Sequence, residues 1–168
     1  MRLSAAGALA PAMLLLGAVA GSAWAAMPTG KDVVSVRAVE ALSLGRGATD
    51  TARVLVTVKP GYHVQANPAA ADYLVATQLK VKALPGFKAG KPLYPKGRVL
   101  QLEGSDEKLS TFDGSFEIRV PLKAGKTARP GSHALAASLK FQACDDKSCF
   151  APVTVPVQIE VRVEEPRK

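Results

Sequence analysis

Apolar and polar residues alternate with a period of two along most of the chain, and this pattern restricts the possible folds more than any other feature. From about Asp32 onward, no stretch sustains the three-to-four spacing of an amphipathic helix. The alternating runs lie at 52–59, 77–83, 116–122, 135–141 and 153–163. Since each run has one apolar face, the sequence predicts several β-strands that bury one side.

Turn-forming pairs separate these runs, at Pro60-Gly61, Asn67-Pro68, Pro85-Gly86, Asp113-Gly114 and Pro130-Gly131. Short one-sided strands at this spacing favour two packed antiparallel sheets. We therefore predict an all-β chain with an immunoglobulin-like antiparallel β-sandwich. The segment 88–110 does not follow the alternating pattern. We expect it to be a long excursion over one end of the sandwich, with a short strand at 99–102.

The N-terminus has the features of an export signal. Arg2 precedes an apolar stretch from Leu3 to Gly21, and Ala23-Trp24-Ala25 fits the small-x-small cleavage rule. We predict a cleaved signal peptide at 1–25 and one domain at 26–168, with a single-span anchor as the alternative. The expected location is the periplasm, with no membrane span after residue 25. The formal charge of +8 is spread along the chain, which argues against nucleic-acid binding.

The two cysteines of the chain, Cys144 and Cys149, flank a four-residue connection between two predicted strands. Opposed positions on such a hairpin lie within disulfide range. As a structural cross-link, a bond that closes so short a loop contributes only about 2 kcal/mol. As a reversible dithiol, the pair could open without backbone rearrangement, and a neighbouring loop would leave one sulfur reachable. The residues alone leave both hypotheses open.

The surroundings of the pair differ from those of a thioredoxin motif. There is no CxxC and no helix N-terminus, and Asp145 and Asp146 are expected to raise the thiol pKa while only Lys147 opposes them. Such a dithiol is expected to be a slow nucleophile. It is better suited to being attacked as a disulfide or to acting within a complex.

Several segments resemble a known family. Phe141-Gln142-Ala143-Cys144, followed by Cys149 and Pro152, resembles the active-site hairpin of the N-terminal periplasmic domain of DsbD, a thiol–disulfide reductase. Pro60-Gly61-Tyr62-His63-Val64 resembles a strand of that family. Tyr94-Pro95 and the segment 112–118 are similar to its middle, so the resemblance covers most of the chain after residue 25.

The resemblance implies an immunoglobulin-like domain whose redox pair is Cys144 and Cys149. In that family the pair accepts electrons from a thioredoxin-like periplasmic protein or domain and passes them to periplasmic clients. Disulfide isomerases and cytochrome c maturation proteins are the client classes that it suggests. This chain would be a stand-alone version that works as a component of a protein-disulfide reductase, and Cys149 would form the mixed disulfide.

The resemblance also suggests supporting residues, namely Tyr62, His63, Gln142 and Phe150. His63 and Gln65 occupy positions where the family can have tyrosines. The resemblance therefore predicts that fewer aromatic side chains cover the disulfide in this chain. The candidate region for a protective cap loop runs from 94 to 113. The sequence shows no clear aromatic residue for the tip of such a loop.

Two other functions are compatible with the residues. One is a non-catalytic periplasmic binding module with a structural hairpin disulfide. The other is a metal-binding accessory protein that uses both cysteines with His63 and His133, but these histidines follow no zinc-finger spacing. We therefore predict no metal and no cofactor.

Overall fold

The computed structural model describes residues 28–101 and 106–165. The predicted signal peptide at 1–25 lies outside the described residues. In chain order the elements are α1 (Gly30–Val33), β1 (Val34–Ala38), β2 (Leu42–Leu44), β3 (Thr49–Val58), β4 (His63–Gln65), β5 (Gln78–Val81), β6 (Phe87–Ala89), β7 (Arg98–Gln101), β8 (Lys108–Phe112), β9 (Ser115–Ala124), β10 (Gly131–Phe141), β11 (Ala143–Cys144) and β12 (Val153–Val163).

The strands form three four-stranded sheets. The first sheet has the order β1-β3-β9-β6, the second β2-β12-β10-β5 and the third β11-β4-β8-β7. Among the described strands, β2 and β12 pair in parallel and the other pairs are antiparallel. The long central ladders are β3 with β9 and β10 with β12, which correspond to the four clearest alternating runs of the sequence.

The core lies between the first and second sheets. Every second residue of the long strands points inward, and these side chains are almost fully buried: Val54, Val56, Ile118 and Val120 from the first sheet, and Leu135, Leu139, Ile159 and Val161 from the second. The all-β, immunoglobulin-like antiparallel sandwich that the sequence predicts is confirmed. The alternating pattern predicted the long strands correctly because each of them packs one face against this core and exposes the other face to water.

The third sheet is built by two tight corners at one end of the sandwich. Gly61, between β3 and β4, has a φ of 83°, and Gly114, between β8 and β9, has a φ of 57°. Residues with a side chain rarely adopt these left-handed values, so glycine is required at both corners. Each corner transfers the chain between the first and third sheets. As a result β4 and β8 lie side by side and β11 pairs with β4.

The expectation for segment 88–110 was partly wrong. The short strand predicted at 99–102 is present as β7, but this part of the chain is integrated into the fold. β6 pairs with β9 in the first sheet, and β7 pairs with β8 in the third. These strands contain only three to five residues each, and a period of two is hard to recognise in so short a run.

Within the two described ranges, none of the helices has the length and hydropathy that a membrane span requires.

Candidate functional site

A disulfide between Cys144 and Cys149 closes the hairpin between β10 and β12, with the two Cα atoms 3.9 Å apart. The two residues also form an isolated antiparallel bridge. Backbone hydrogen bonds close the same hairpin without help from sulfur. The N–H of Phe150 donates to the carbonyl of Ala143 at 2.8 Å, and the N–H of Asp145 donates to that of Ser148 at 2.9 Å. Opening the disulfide therefore leaves a hydrogen-bonded hairpin.

Asp145 caps the turn of this hairpin. Its Oδ1 accepts hydrogen bonds from the N–H groups of Lys147 at 2.8 Å and Ser148 at 2.7 Å. These backbone donors hold the pKa of Asp145 below its ordinary value, because they favour the ionised carboxylate. From the sequence, Asp145 is expected only to place a negative charge next to the thiols. The structure adds that the carboxylate organises the turn that presents Cys149.

The two sulfurs differ in accessibility. Cys144 is 1% exposed, whereas Cys149 belongs to the exposed residues of the turn. The rate of thiol–disulfide exchange depends on which sulfur an incoming thiolate can reach. Cys149 is therefore the residue that an incoming thiolate can approach, whereas Cys144 is enclosed by the protein.

Two buried polar side chains of β4 lie on the enclosed side of the disulfide. His63 is the register partner of Cys144, and both side chains point to the same face of the third sheet. Gln65, two residues further, shares this face and is fully buried. Its Nε2 donates a hydrogen bond to Sγ of Cys144 at 3.5 Å. Among the described residues, His63 Nε2 and Gln65 Oε1 have no hydrogen-bond partner.

The sequence does not predict the contact between Gln65 and the disulfide. In the family resemblance this residue marks only the place of an absent tyrosine. The signal that could have identified the contact was positional, because residues at i and i+2 of a strand share a face and His63 had been aligned beside the pair.

Burial lowers the pKa of His63, because the imidazolium form is poorly solvated there, and the carboxylates of Asp145 and Asp113 oppose this effect only in part. The unfolded chain, in which the ordinary pKa of 6.5 applies, therefore binds a proton before the folded chain does. The contribution to stability is complete above pH 6.5 and is lost as the pH falls below that value. We expect the free energy of unfolding, measured in urea, to decrease across this acidic range.

A His63→Phe variant is expected to lose this part of the pH dependence. The matched variant His133→Phe retains His63 and is expected to retain the decrease. An identical pH profile for wild type and His63→Phe would contradict the assignment.

Gln142 connects the hairpin to a neighbouring loop. Its Oε1 accepts a hydrogen bond from the N–H of Val75 at 3.1 Å, and its Nε2 donates to the carbonyl of Phe150 at 3.4 Å. These bonds fix the chain just after Cys149 relative to the strand that carries Cys144.

Tyr62 and Phe150 form an aromatic pair beside the exposed sulfur. Their ring centroids are 5.9 Å apart with an interplanar angle of 30°. Phe150 directly follows Cys149, and Tyr62 directly precedes His63. The fold thus brings all four supporting residues of the sequence analysis to the hairpin, and their functional roles remain predictions.

A cleft of about 770 Å³ opens next to the hairpin. Tyr62, His63 and Asp146 line one part of it, and β7 lines another. β7 belongs to the region proposed for a cap loop, and its Val99 is 74% exposed. Tyr94 of the same region is directed elsewhere, because its hydroxyl accepts a hydrogen bond from the N–H of Leu79 at 2.8 Å.

The second histidine has other contacts. His133 packs edge-on against Phe87 with centroids 4.9 Å apart, and its Nε2 lies 2.7 Å from the carbonyl oxygen of Arg129. In the part of the chain that the structure describes, no cluster of three or more histidine, cysteine or carboxylate side chains could hold a metal ion.

Comparison with solved structures finds matches at low sequence identity and with TM-scores below 0.5. The N-terminal periplasmic domain of ScsB from Proteus mirabilis is 14% identical with a TM-score of 0.47, over 76% of this chain and 46% of that one. AggA, the major subunit of aggregative adherence fimbriae type I from Escherichia coli, is 13% identical with a TM-score of 0.38, over 78% of this chain and 94% of that one. Similarities of this size leave the function open. No match was found among curated proteins.

The family comparison is more specific. Residues 31–160, well over half of the chain, match the model described as "Thiol:disulfide interchange protein DsbD, N-terminal". The matched range includes the disulfide hairpin, β4 and the cleft. The chain therefore belongs to the family of DsbD N-terminal domains.

Proposed function

We propose that this chain is a periplasmic thiol–disulfide exchange domain in which the Cys144–Cys149 pair alternates between disulfide and dithiol. The observation that carries the proposal is the asymmetric disulfide, with Cys149 exposed at a turn and Cys144 enclosed. Membership of a family named for thiol:disulfide interchange supports it. The predicted signal peptide at 1–25 supports the location.

In the first half of the cycle, a thiolate of a thioredoxin-like partner attacks Sγ of Cys149. The bond between the two sulfurs of the pair breaks, its electrons remain on Cys144 as a thiolate, and a mixed disulfide joins Cys149 to the partner. The second thiolate of the partner then attacks the partner's own sulfur in that bond and releases Cys149. Two electrons have moved from the partner to the pair, which takes up protons from water.

In the second half, the Cys149 thiolate attacks a disulfide of a client and forms a mixed disulfide. Cys144 then attacks Cys149, which regenerates the intramolecular bond and releases the client as a dithiol. Disulfide isomerases and cytochrome c maturation proteins are the client classes that we propose. In this role the chain is a component of a protein-disulfide reductase.

The energetics favour this role over that of a structural cross-link. A disulfide that closes so short a loop contributes only about 2 kcal/mol in the chain-entropy model. The hairpin also has its own backbone hydrogen bonds and the Asp145 cap. The bond can thus be broken and remade while the sandwich stays folded.

Reduction by a partner tests the proposal. We expect reduced thioredoxin to reduce the purified chain, with thiol formation followed by maleimide labelling and a gel shift. Circular dichroism is expected to show that the β-structure is retained. Failure of thioredoxin and of other CxxC proteins to reduce the pair, or loss of the fold on reduction, would favour the non-catalytic binding module.

A further inference from the structure

A buried amide donor contacts the enclosed sulfur of the disulfide. Gln65 is fully buried, and its Nε2 donates to Sγ of Cys144 at 3.5 Å. Cysteine sulfur in a disulfide is a weak acceptor, so this contact contributes little in the oxidised protein. The same N–H would be a strong donor to a thiolate, because hydrogen bonds to charged groups are about twice as strong as those between neutral groups.

The backbone of Gln65 is held firmly, which fixes the point and the Cα–Cβ direction from which its buried side chain extends. Its N–H donates to the carbonyl of Gln142 at 3.3 Å. Its carbonyl accepts from the N–H of Thr77 at 3.1 Å and from the Thr77 hydroxyl at 2.6 Å. Thr77 is itself fully buried. The amide is therefore preorganised against the sulfur, and little conformational entropy is lost when the sulfur changes state.

The amide also has unused hydrogen-bonding capacity in the oxidised protein. Among the described residues, Oε1 of Gln65 has no partner, and neither has Nε2 of His63 on the same face of β4. Buried polar atoms without partners are costly, so their presence beside a bond that can open points to a state in which they are used. A protonated thiol of Cys144 can donate to Oε1 and its thiolate can accept from Nε2, so the amide has a partner in both protonation states of the reduced residue.

Attack at Cys149 places negative charge where water cannot reach it. When the bond breaks, the electron pair goes to the enclosed Sγ of Cys144, which is 1% exposed. A buried anion without a donor is poorly solvated, and a thiol with a high pKa is a slow leaving group. Nε2 of Gln65 is a donor within hydrogen-bond distance of that atom.

We propose that Gln65 stabilises Cys144 as the leaving thiolate during exchange at Cys149. This inference rests on the proposed function, and it assigns to a residue on β4 the stabilisation of the sulfur that departs. His63, the register partner of Cys144, is a second buried polar side chain on the same face of the third sheet.

Gln65→Met is the variant that tests the proposal, because methionine has a similar size and no donor. Since the lost Oε1 had no partner, we expect the variant to fold with nearly unchanged stability. The pKa of Cys144 is measured in a Cys149→Ala background from the ¹³Cβ chemical shift during a pH titration. We expect Gln65→Met to raise this pKa by about one unit. In the two-cysteine protein, we expect reduction by thioredoxin to slow by up to about tenfold.

Thr111→Val is the matched control. Thr111 is the register partner of Gln65 on β8 and is buried, and its hydroxyl donates to the carbonyl of Arg98 at 3.4 Å. We expect this variant to alter stability without changing the pKa of Cys144. If Gln65→Met does not fold, Gln65→Leu replaces it in both measurements.

The outcomes separate this proposal from the function on which it rests. An unchanged Cys144 pKa in Gln65→Met overturns the role of Gln65, even if the wild-type chain exchanges disulfides normally. A rise in pKa with His63→Phe but not with Gln65→Met also overturns it, because His63 would then be the donor. The titration needs no partner, so it tests the hydrogen bond directly even if thioredoxin fails to reduce the wild-type chain.

Discussion

A Cys144→Ala variant is expected to accumulate a stable mixed disulfide with its client proteins through Cys149. In the proposed cycle such an adduct is short-lived in the wild-type chain, because Cys144 attacks Cys149 and releases the client. Removing the buried sulfur removes this resolving step and leaves the exposed Cys149 able to react. The reciprocal variant Cys149→Ala retains only an enclosed thiol, and we expect it to form roughly tenfold less adduct or none.

The measurement is non-reducing electrophoresis of periplasmic extracts after acid quenching, with mass spectrometry of the adducts that disappear on reduction. The double variant Cys144→Ala/Cys149→Ala is the control for non-covalent association. Equal adduct formation by the two single variants would contradict the assignment of Cys149 as the entry sulfur. The trapped proteins would also identify the clients.

Truncation of Phe141 is expected to destabilise the chain more than loss of the disulfide. Phe141 ends β10, pairs with Val153 and is fully buried in the core. Removing a buried aromatic ring costs about 3–5 kcal/mol, through lost burial and the cavity that remains. Loss of the disulfide is expected to cost about 2 kcal/mol, because the bond closes a short loop that hydrogen bonds already hold.

Urea unfolding of Phe141→Ala and of Cys144→Ala/Cys149→Ala, each compared with wild type, gives both values. We expect the double cysteine variant to unfold cooperatively with a nearly unchanged m-value. A larger loss of stability in that variant than in Phe141→Ala would show that the disulfide is a major structural element. The proposed exchange would then require the fold to loosen at every turnover.

The sandwich was predictable from the sequence because its long strands each have one buried face. In β3, β9, β10 and β12 the apolar residues of the alternating pattern occupy the buried face. The turn pairs between the runs mark where the chain leaves a sheet. The pattern carries no information about which strands are neighbours. The parallel pairing of β2 with β12 and the separate third sheet therefore emerged only from the structure.

The site was predictable in part for a related reason. The spacing of Cys144 and Cys149 between two strands implies a hairpin, and the family resemblance placed Tyr62 and His63 near it. The burial of one sulfur and the exposure of the other depend on how β11 packs on β4, which no local pattern encodes. The contact from Gln65 depends on the same pairing across seventy-nine positions of sequence.

The reduction potential of the Cys144–Cys149 pair tests the central claim most directly. The purified chain is equilibrated with glutathione and dithiothreitol buffers of known potential, and the fraction of dithiol is measured by maleimide labelling while circular dichroism follows the fold. We expect a midpoint above about −300 mV with the β-structure intact, in the range of proteins that exchange disulfides. A pair that stays oxidised at potentials below about −300 mV, or that opens only as the sandwich unfolds, would contradict a reversible couple and establish a structural cross-link.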